Sequence, residues 1–210
     1  MKNNNTLYLS CFLFISIFLF SWWSHPSLIP KTSPDSGLYL NLASDFHHHA
    51  SAERPFIFPL LIRYCMKLTE HNWEETFSII QISFHTLISI CLFFLFQEFQ
   101  VKKYMAFILT FFIGFNPSLI YYSTYLLADH LLAVLTTLSW IFTIRFSKNF
   151  HKRKKNYIDL IFIGIFSGLA IVTKPVAILA IFPIVLSIIL TNGISYKMVR
   201  YIIVLFIINF

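Results

Sequence analysis

The sequence predicts an all-α protein that crosses a membrane several times. The chain of 210 residues is 57% hydrophobic and only 12% charged, whereas a soluble domain usually carries about a quarter charged residues. Apolar runs of roughly 17–25 residues, the length that a bilayer requires, recur along the chain. Helices are the expected elements because a backbone that faces lipid must satisfy its own hydrogen bonds.

Six complete apolar runs predict six spanning helices. They cover about residues 7–24, 76–96, 104–120, 126–146, 157–172 and 176–190. A seventh run begins near Met198 and reaches Phe210, the last residue. We therefore expect residues 1–210 to form a single transmembrane domain that is truncated within its seventh span.

The first apolar run has two interpretations. A Lys near its start and a long apolar stretch suit a cleaved signal peptide. However, the run lacks a clear small-x-small cleavage site, and Trp22 and Trp23 are typical of the aromatic belt at the end of a spanning helix. We expect a retained helix.

The basic residues predict how the chain is oriented. A net charge of +7 is compatible with nucleic-acid binding, but the basic residues cluster in short links between the apolar runs. With a cytoplasmic N-terminus, eleven of the 16 Lys and Arg residues fall on the inner side, including the run HKRKK at 151–155. Cytoplasmic segments of membrane proteins carry such an excess. We therefore predict this orientation and no nucleic-acid partner.

The segment 25–75 is the long extracytoplasmic loop of this topology. Most of the acids fall in it or at the outer edge of a span, so we expect polar chemistry there. Loops of this length are usually functional or disordered, and apolar stretches such as FIFPLLIRYCMKL argue against disorder. We expect one or two short amphipathic helices that lie in the plane of the membrane surface.

Asp35 and Asp129 are the candidate catalytic residues. Asp35 lies in the segment SPDSGLYLNLASDF directly after the first apolar run, and Asp129 lies at the edge of a later run. An ionisable residue at the edge of a span is a functional candidate by default. Two structural alternatives remain open. Asp35 follows Pro34 and could simply cap a helix, and Asp129 could be a loop acid that reaches the membrane surface.

Several outer residues are candidates for substrate binding. Arg54, Arg63 and Lys174 could hold a lipid phosphate. Alternatively, either Arg could rest at the level of the lipid headgroups, and Lys174 could belong to a tight turn. His130 follows Asp129 and could contact that acid or a substrate.

We expect neither a metal nor a cofactor. His47, His48 and His49 are adjacent, and consecutive residues on a helix point about 100° apart, so three in a row converge poorly on a metal. The sequence contains no Walker loop, dinucleotide-binding glycine pattern or serine nucleophile elbow. The three cysteines are an odd set with two members inside spans, which implies no disulfide framework.

Four segments carry a resemblance to a known family. They are PDSGLYLNLA, ERPFIFPLLIR, NPSLIYYSTYLLADHLLAVL and GLAIVTKPVAILAIFPIVL. In their order along the chain and in their predicted position toward the outer face of the membrane, they resemble the N-terminal half of membrane glycosyltransferases of the GT-C superfamily. The similar branch holds the protein O-mannosyltransferases and the lipid A aminoarabinose transferases. The implied fold is a GT-C-like helical bundle whose long first extracytoplasmic loop carries short interfacial helices.

The resemblance also implies a reaction. Such enzymes move a hexose or pentose from a polyprenyl-phosphate carrier to a lipid, glycan or protein acceptor at the outer face of the membrane. Asp35 would be the general base, the anomeric carbon would be inverted, and Asp129 would orient the acceptor or the sugar. The residues that would contact the substrates are Tyr39, Arg54, Arg63, His130 and Lys174.

Two other functions are compatible with a polytopic protein. A transporter or lipid-carrier translocase would place polar residues or broken helices near mid-membrane, and a structural subunit would tolerate the loss of both acids. Charges are scarce at mid-span, which favours chemistry at the membrane surface.

The residue usage also indicates a source. The abundance of Ile, Phe, Asn and Lys suggests a bacterial protein, for which the carrier would be undecaprenyl phosphate and the membrane the inner one. In a eukaryote, dolichyl phosphate and the endoplasmic reticulum would replace them.

Overall fold

The computed structural model describes residues 4–25, 27–45, 56–151 and 157–192. Within these ranges the chain forms α-helices joined by short links. The nine α-helices are α1 (Asn4–Trp23), α2 (Pro34–Ser44), α3 (Ile57–Thr69), α4 (Trp73–Glu98), α5 (Lys103–Gly114), α6 (Pro117–Tyr122), α7 (Asp129–His151), α8 (Tyr157–Thr173) and α9 (Ile178–Asn192). Short 3₁₀ turns precede α4 and α9.

The predicted all-α polytopic architecture is confirmed. Helices α1, α4 and α7 are long and apolar enough to cross a membrane. Helices α5 and α8 and the segment Pro175–Leu190 are shorter and equally apolar. These six elements correspond to the six predicted spans. The predicted seventh span lies outside the described residues.

Helix α4 packs against α1, α3, α5 and α7, and α7 packs in turn against α8 and α9. Buried apolar side chains fill each of these contacts. Those between α7, α8 and α9 are Phe146, Leu160, Ile163, Ile181, Ile184 and Ile188. Those between α1, α4 and α5 are Leu13, Ile17, Phe93 and Ala106.

The third predicted span differs from the structure, which divides it into α5 and α6. The helix stops at Gly114, and Asn116 starts the next one by accepting hydrogen bonds from the backbone N–H groups of Ser118 at 2.9 Å and Leu119 at 3.3 Å. Pro117 occupies the first turn of α6, where its missing N–H costs nothing. A polar cap followed by proline therefore starts a second helix within one apolar run.

Two helices form in the predicted outer loop, as expected. Helix α3 is amphipathic, because Phe58, Ile62 and Cys65 are buried at helical spacing on one side. Helix α2 packs against α3, which in turn packs against α4. Arg54 and the three consecutive histidines lie between α2 and α3, outside the described residues.

Charged side chains occupy opposite ends of the bundle. At one end, Lys148 Nζ lies 2.9 Å from Glu98 Oε2, and Arg145 Nε lies 3.9 Å from Asp159 Oδ1. Asp129 lies at the other end of α7. The residues predicted to lie on the cytoplasmic side and those predicted to lie on the outer side are thus at opposite ends of the helices.

Candidate active site

A short backbone pairing joins the segment before α2 to the segment before α7. The N–H of Lys31 donates to the carbonyl of Thr124 at 2.7 Å, and the N–H of Leu126 donates to the carbonyl of Lys31 at 2.9 Å. Lys31 and Tyr125 form a parallel β-bridge, which we name the Lys31–Tyr125 bridge. Each candidate acid lies four positions after a residue of this bridge. The pairing therefore brings the first turns of α2 and α7 together.

Ser36 makes a second connection between these two helix starts. Its side chain is fully buried, and its hydroxyl donates to the carbonyl of Leu126 at 3.0 Å. The same oxygen accepts the N–H of Ser33 at 2.8 Å. From α4, the amide nitrogen of Gln81 donates to the carbonyl of Leu127 at 2.9 Å. Three helices are thus joined by hydrogen bonds at one end of the bundle.

Replacing Ser36 with alanine is expected to lower the free energy of unfolding by about 1–3 kcal/mol. The change leaves the buried carbonyl of Leu126 and the half-buried N–H of Ser33 without their partner, and an unpaired buried group carries the full cost of desolvation. The matched control is Ser44→Ala at the exposed end of the same helix. Thermal unfolding of the purified protein in detergent should separate the two variants. Equal unfolding temperatures would contradict this role for Ser36.

Asp35 lies in the first turn of α2 with its side chain exposed. Ser33 is the N-cap residue and Pro34 follows it in the first turn, so the alternative that Asp35 caps the helix is wrong. No side chain of the described residues hydrogen-bonds its carboxylate. Negative charge is favourable at this end of a helix, and the side chain of Asp35 is open to solvent.

Asp129 begins α7 and binds Lys174, which follows the last residue of α8. The distance from Lys174 Nζ to Asp129 Oδ1 is 2.7 Å, and the side chains are 30% and 49% exposed, respectively. The hydrogen bond with Asp129 raises the pKa of Lys174, against a smaller opposing effect of partial burial. Lys174 is therefore a cation at neutral pH, and Asp129 fixes its position.

Tyr39 lies next to these charged groups, one turn after Asp35. Its ring is buried against Phe58, with centroids 5.0 Å apart, and Phe58 packs in turn on Phe77 of α4. Burial raises the pKa of the Tyr39 hydroxyl; the charge of Lys174 opposes this shift, and the carboxylates of Asp35 and Asp129 add to it. The phenol therefore stays protonated.

These four residues, Asp35, Tyr39, Asp129 and Lys174, form what we name the acid–lysine cluster. Asp35 also contributes to the raised pKa of Lys174, so the groups from α2, α7 and the end of α8 act on one another electrostatically. The cluster offers an exposed carboxylate that can accept a proton, a cation that can balance a phosphate, and a neutral phenol.

The structure describes two of the other predicted residues, Arg63 and His130. Arg63 is half-buried on α3. The His130 ring is buried in the bundle, where it meets the His85 ring at a centroid distance of 5.7 Å. Contact of Arg63 or His130 with a substrate stays a prediction. Among the described residues, no group of three His, Cys, Asp or Glu side chains could hold a metal ion.

Sequence reasoning missed the residues that position the cluster. Ser33, Ser36 and Gln81 are ordinary polar residues, and Lys31 and Tyr125 pair only through their backbones. The one available signal was Ser33 before Pro34, the usual order of an N-cap residue and the first residue of a helix.

A comparison with protein families assigns the chain to a family. The family model described as dolichyl-phosphate-mannose-protein mannosyltransferase matches residues 76–207, which make up more than half of the chain. The chain belongs to this family. No curated protein and no solved structure matches it significantly.

Membership of the mannosyltransferase family confirms the GT-C resemblance and identifies the chain as an integral membrane glycosyltransferase that uses a polyprenyl-phosphate sugar donor. The match contains Asp129 and Lys174, whereas Asp35 and Tyr39 precede it. The acid–lysine cluster therefore combines residues from inside and outside the matched region.

Proposed function

We propose that this mannosyltransferase-family member transfers a sugar from polyprenyl phosphate to an acceptor hydroxyl at the outer face of the membrane, with inversion of the anomeric carbon. The observation that carries the proposal is the Asp129–Lys174 pair at the start of α7, which the Lys31–Tyr125 bridge holds beside the first turn of α2, within electrostatic reach of the exposed Asp35. In this proposal the N-terminus is cytoplasmic, and for a bacterial source the membrane is the inner one.

Asp35 is the proposed general base. An acceptor hydroxyl is a poor nucleophile, and removing its proton as the new bond forms accelerates such reactions by about 10²–10⁴-fold. Asp35 is exposed, whereas Asp129 already accepts a hydrogen bond from Lys174. Of the two acids, Asp35 is therefore the one whose carboxylate makes no hydrogen bond to a side chain of the described residues.

Lys174 is the proposed counterion of the leaving group. As the glycosidic bond breaks, negative charge grows on the polyprenyl phosphate, and a fixed cation stabilises that charge most at the transition state. Asp129 holds the ammonium group through one oxygen, and its second oxygen can orient a hydroxyl of the sugar or the acceptor. Arg54 and Arg63 are further candidates for the phosphate, and His130 for the sugar.

Tyr39 is proposed to contact a substrate through its hydroxyl. The residue as a whole is 4% exposed, and its ring packs in the core against Phe58. Because burial keeps the hydroxyl protonated, it can donate a hydrogen bond to a sugar or phosphate oxygen but cannot act as a base.

The distribution of charge favours transfer over transport. In the described parts of the six spanning elements, acidic and basic residues occur near the helix ends, as with Glu98, Asp129 and Arg145. A translocase that moves an anionic headgroup would be expected to place charged partners for it at mid-membrane, whereas the polar residues buried in the middle of α4 are Gln81, His85, Thr86 and Ser89.

Labelled transfer in membranes tests the proposal. Right-side-out vesicles that carry the full-length protein are supplied with mannose linked to undecaprenyl or dolichyl phosphate. We expect labelled acceptor with the anomeric configuration opposite to that of the donor, formed on the outer side. Movement of intact donor across the membrane without a new glycosidic bond would instead identify a translocase.

A further inference from the structure

A second polar feature is a cavity of about 300 Å³ at the end of α1. Residues from the end of α1, the link to α2, α4, α6 and the link to α7 line it. No member of the acid–lysine cluster does so. Five lining residues carry aliphatic hydroxyl groups: Ser24, Ser27, Ser78, Ser123 and Thr124.

The cavity is electropositive. Lys31 lines it, and its Nζ lies 3.9 Å from the centroid of the Tyr121 ring. No carboxylate belongs to the described lining. A cation that faces an aromatic ring in a site without acids keeps its charge available for an anionic ligand.

Hydrogen bonds within the protein determine which hydroxyl groups of the cavity can donate and which can accept. The Tyr121 hydroxyl accepts a hydrogen bond from Tyr125 at 3.1 Å, which leaves its own proton free to donate. That hydrogen bond and the charge of Lys31 lower the pKa of Tyr121, which strengthens it as a donor. The hydroxyls of Ser24, Ser123 and Thr124 donate to backbone carbonyls, so toward the cavity their oxygens act as acceptors.

The position of the cavity fits the headgroup region of a membrane. Trp22 and Trp23, which directly precede its first hydroxyl residue, are 40% and 78% exposed. Exposed Trp at the end of a spanning helix marks the interface between hydrocarbon and water. Ile29, on the rim, is also exposed and can contact an acyl chain.

We propose that this cavity binds an anionic phospholipid with a hydroxyl-bearing headgroup. Lys31 and Tyr121 donate to the phosphate, and the oxygens of Ser24, Ser123 and Thr124 accept from the headgroup hydroxyls. A phospholipid is favoured over the polyprenyl carrier because no member of the acid–lysine cluster reaches the cavity.

A bound lipid would also act on the fold. The backbone of Lys31 forms the Lys31–Tyr125 bridge, and Asp35 follows it on the next helix. A phosphate that holds the Lys31 side chain therefore stabilises the bridge. Anything that binds only the folded state raises the unfolding temperature with its concentration, so lipid binding becomes measurable without any sugar transfer.

The test titrates phosphatidylglycerol into phosphatidylcholine vesicles that hold the purified full-length protein, and follows the midpoint of thermal unfolding. We expect Lys31→Gln to weaken the apparent affinity for phosphatidylglycerol about fivefold, the effect of losing one specific contact of about 1 kcal/mol to the phosphate. Lys31→Arg, which keeps the charge, should bind like wild type. Lys67→Gln, at an exposed lysine on α3, is the matched control.

Three outcomes would overturn the proposal. The first is an unchanged titration for Lys31→Gln. The second is an equally weakened titration for Lys31→Arg, because the charge would then not be the feature that matters. The third comes from titrating polyprenyl phosphate in place of phosphatidylglycerol. If Lys31→Gln weakens the affinity for polyprenyl phosphate alone, the carrier is the ligand. Since no sugar donor is present, these results are independent of the proposed transfer reaction.

Discussion

Asp35→Asn is expected to reduce the rate of sugar transfer by about 10²–10⁴-fold, the usual contribution of a positioned general base. The amide keeps the size of the side chain but cannot take a proton from the acceptor. Asp35 is exposed, and exposed substitutions usually change stability by no more than about 0.5 kcal/mol. The loss should therefore appear in kcat while the unfolding temperature stays that of wild type. Both are measured on the same full-length preparation.

The matched control for Asp35 is Asp45→Asn, an exposed acid at the opposite end of α2. It should transfer sugar at the wild-type rate, which separates a specific role of Asp35 from a general loss of negative charge on the helix. If Asp35→Asn also transfers at the wild-type rate, Asp35 is not the base.

Lys174→Met is expected to lower kcat by about 10²–10³-fold, the range found when one group that stabilises transition-state charge is removed. The methionine keeps much of the apolar stem but loses the cation opposite the leaving phosphate. Because both members of the Lys174–Asp129 pair are partly exposed, the pair itself contributes only about 0–1 kcal/mol to stability. Activity should therefore fall far more than the unfolding temperature does.

A double-mutant cycle distinguishes the roles of these two residues. If Asp129 acts mainly by holding Lys174, adding Asp129→Asn to Lys174→Met should cause little further loss, because residues that act as a unit are not additive. A fully additive loss would show that Asp129 contacts a substrate independently. Lys174→Arg should recover part of the activity, and Lys67→Met should retain all of it.

The membrane architecture could be predicted because composition and the length of apolar runs determine it. The division of the third run into α5 and α6 was missed, although the pair Asn116 and Pro117 is a typical helix start. Such a start is easily overlooked within a continuous apolar run, because one polar residue barely changes the mean hydropathy of the segment. A break in a spanning helix frees backbone groups that need new partners. Here the Asn116 side chain accepts a hydrogen bond from the freed N–H of Ser118.

The sequence nominated candidate site residues but could not give their geometry. The charge pattern predicted that Asp35, Asp129 and Lys174 lie on one side of the membrane. The contact between Asp129 and Lys174 depends on how α7 packs against α8, which no local pattern encodes. The buried position of the His130 ring likewise follows from its contact with His85 on another helix.

The Lys31–Tyr125 bridge limits which segments can be exchanged between relatives to build a chimaeric protein. The bridge, the hydrogen bond from Ser36 to Leu126, and the Tyr39–Phe58–Phe77 ring contacts all connect the region before residue 76 with the family-matched region after it. Neither region can be exchanged alone for that of a relative without disturbing buried contacts. A functional chimaera therefore has to carry both sides of the bridge from one parent, and substitutions on either side are expected to covary.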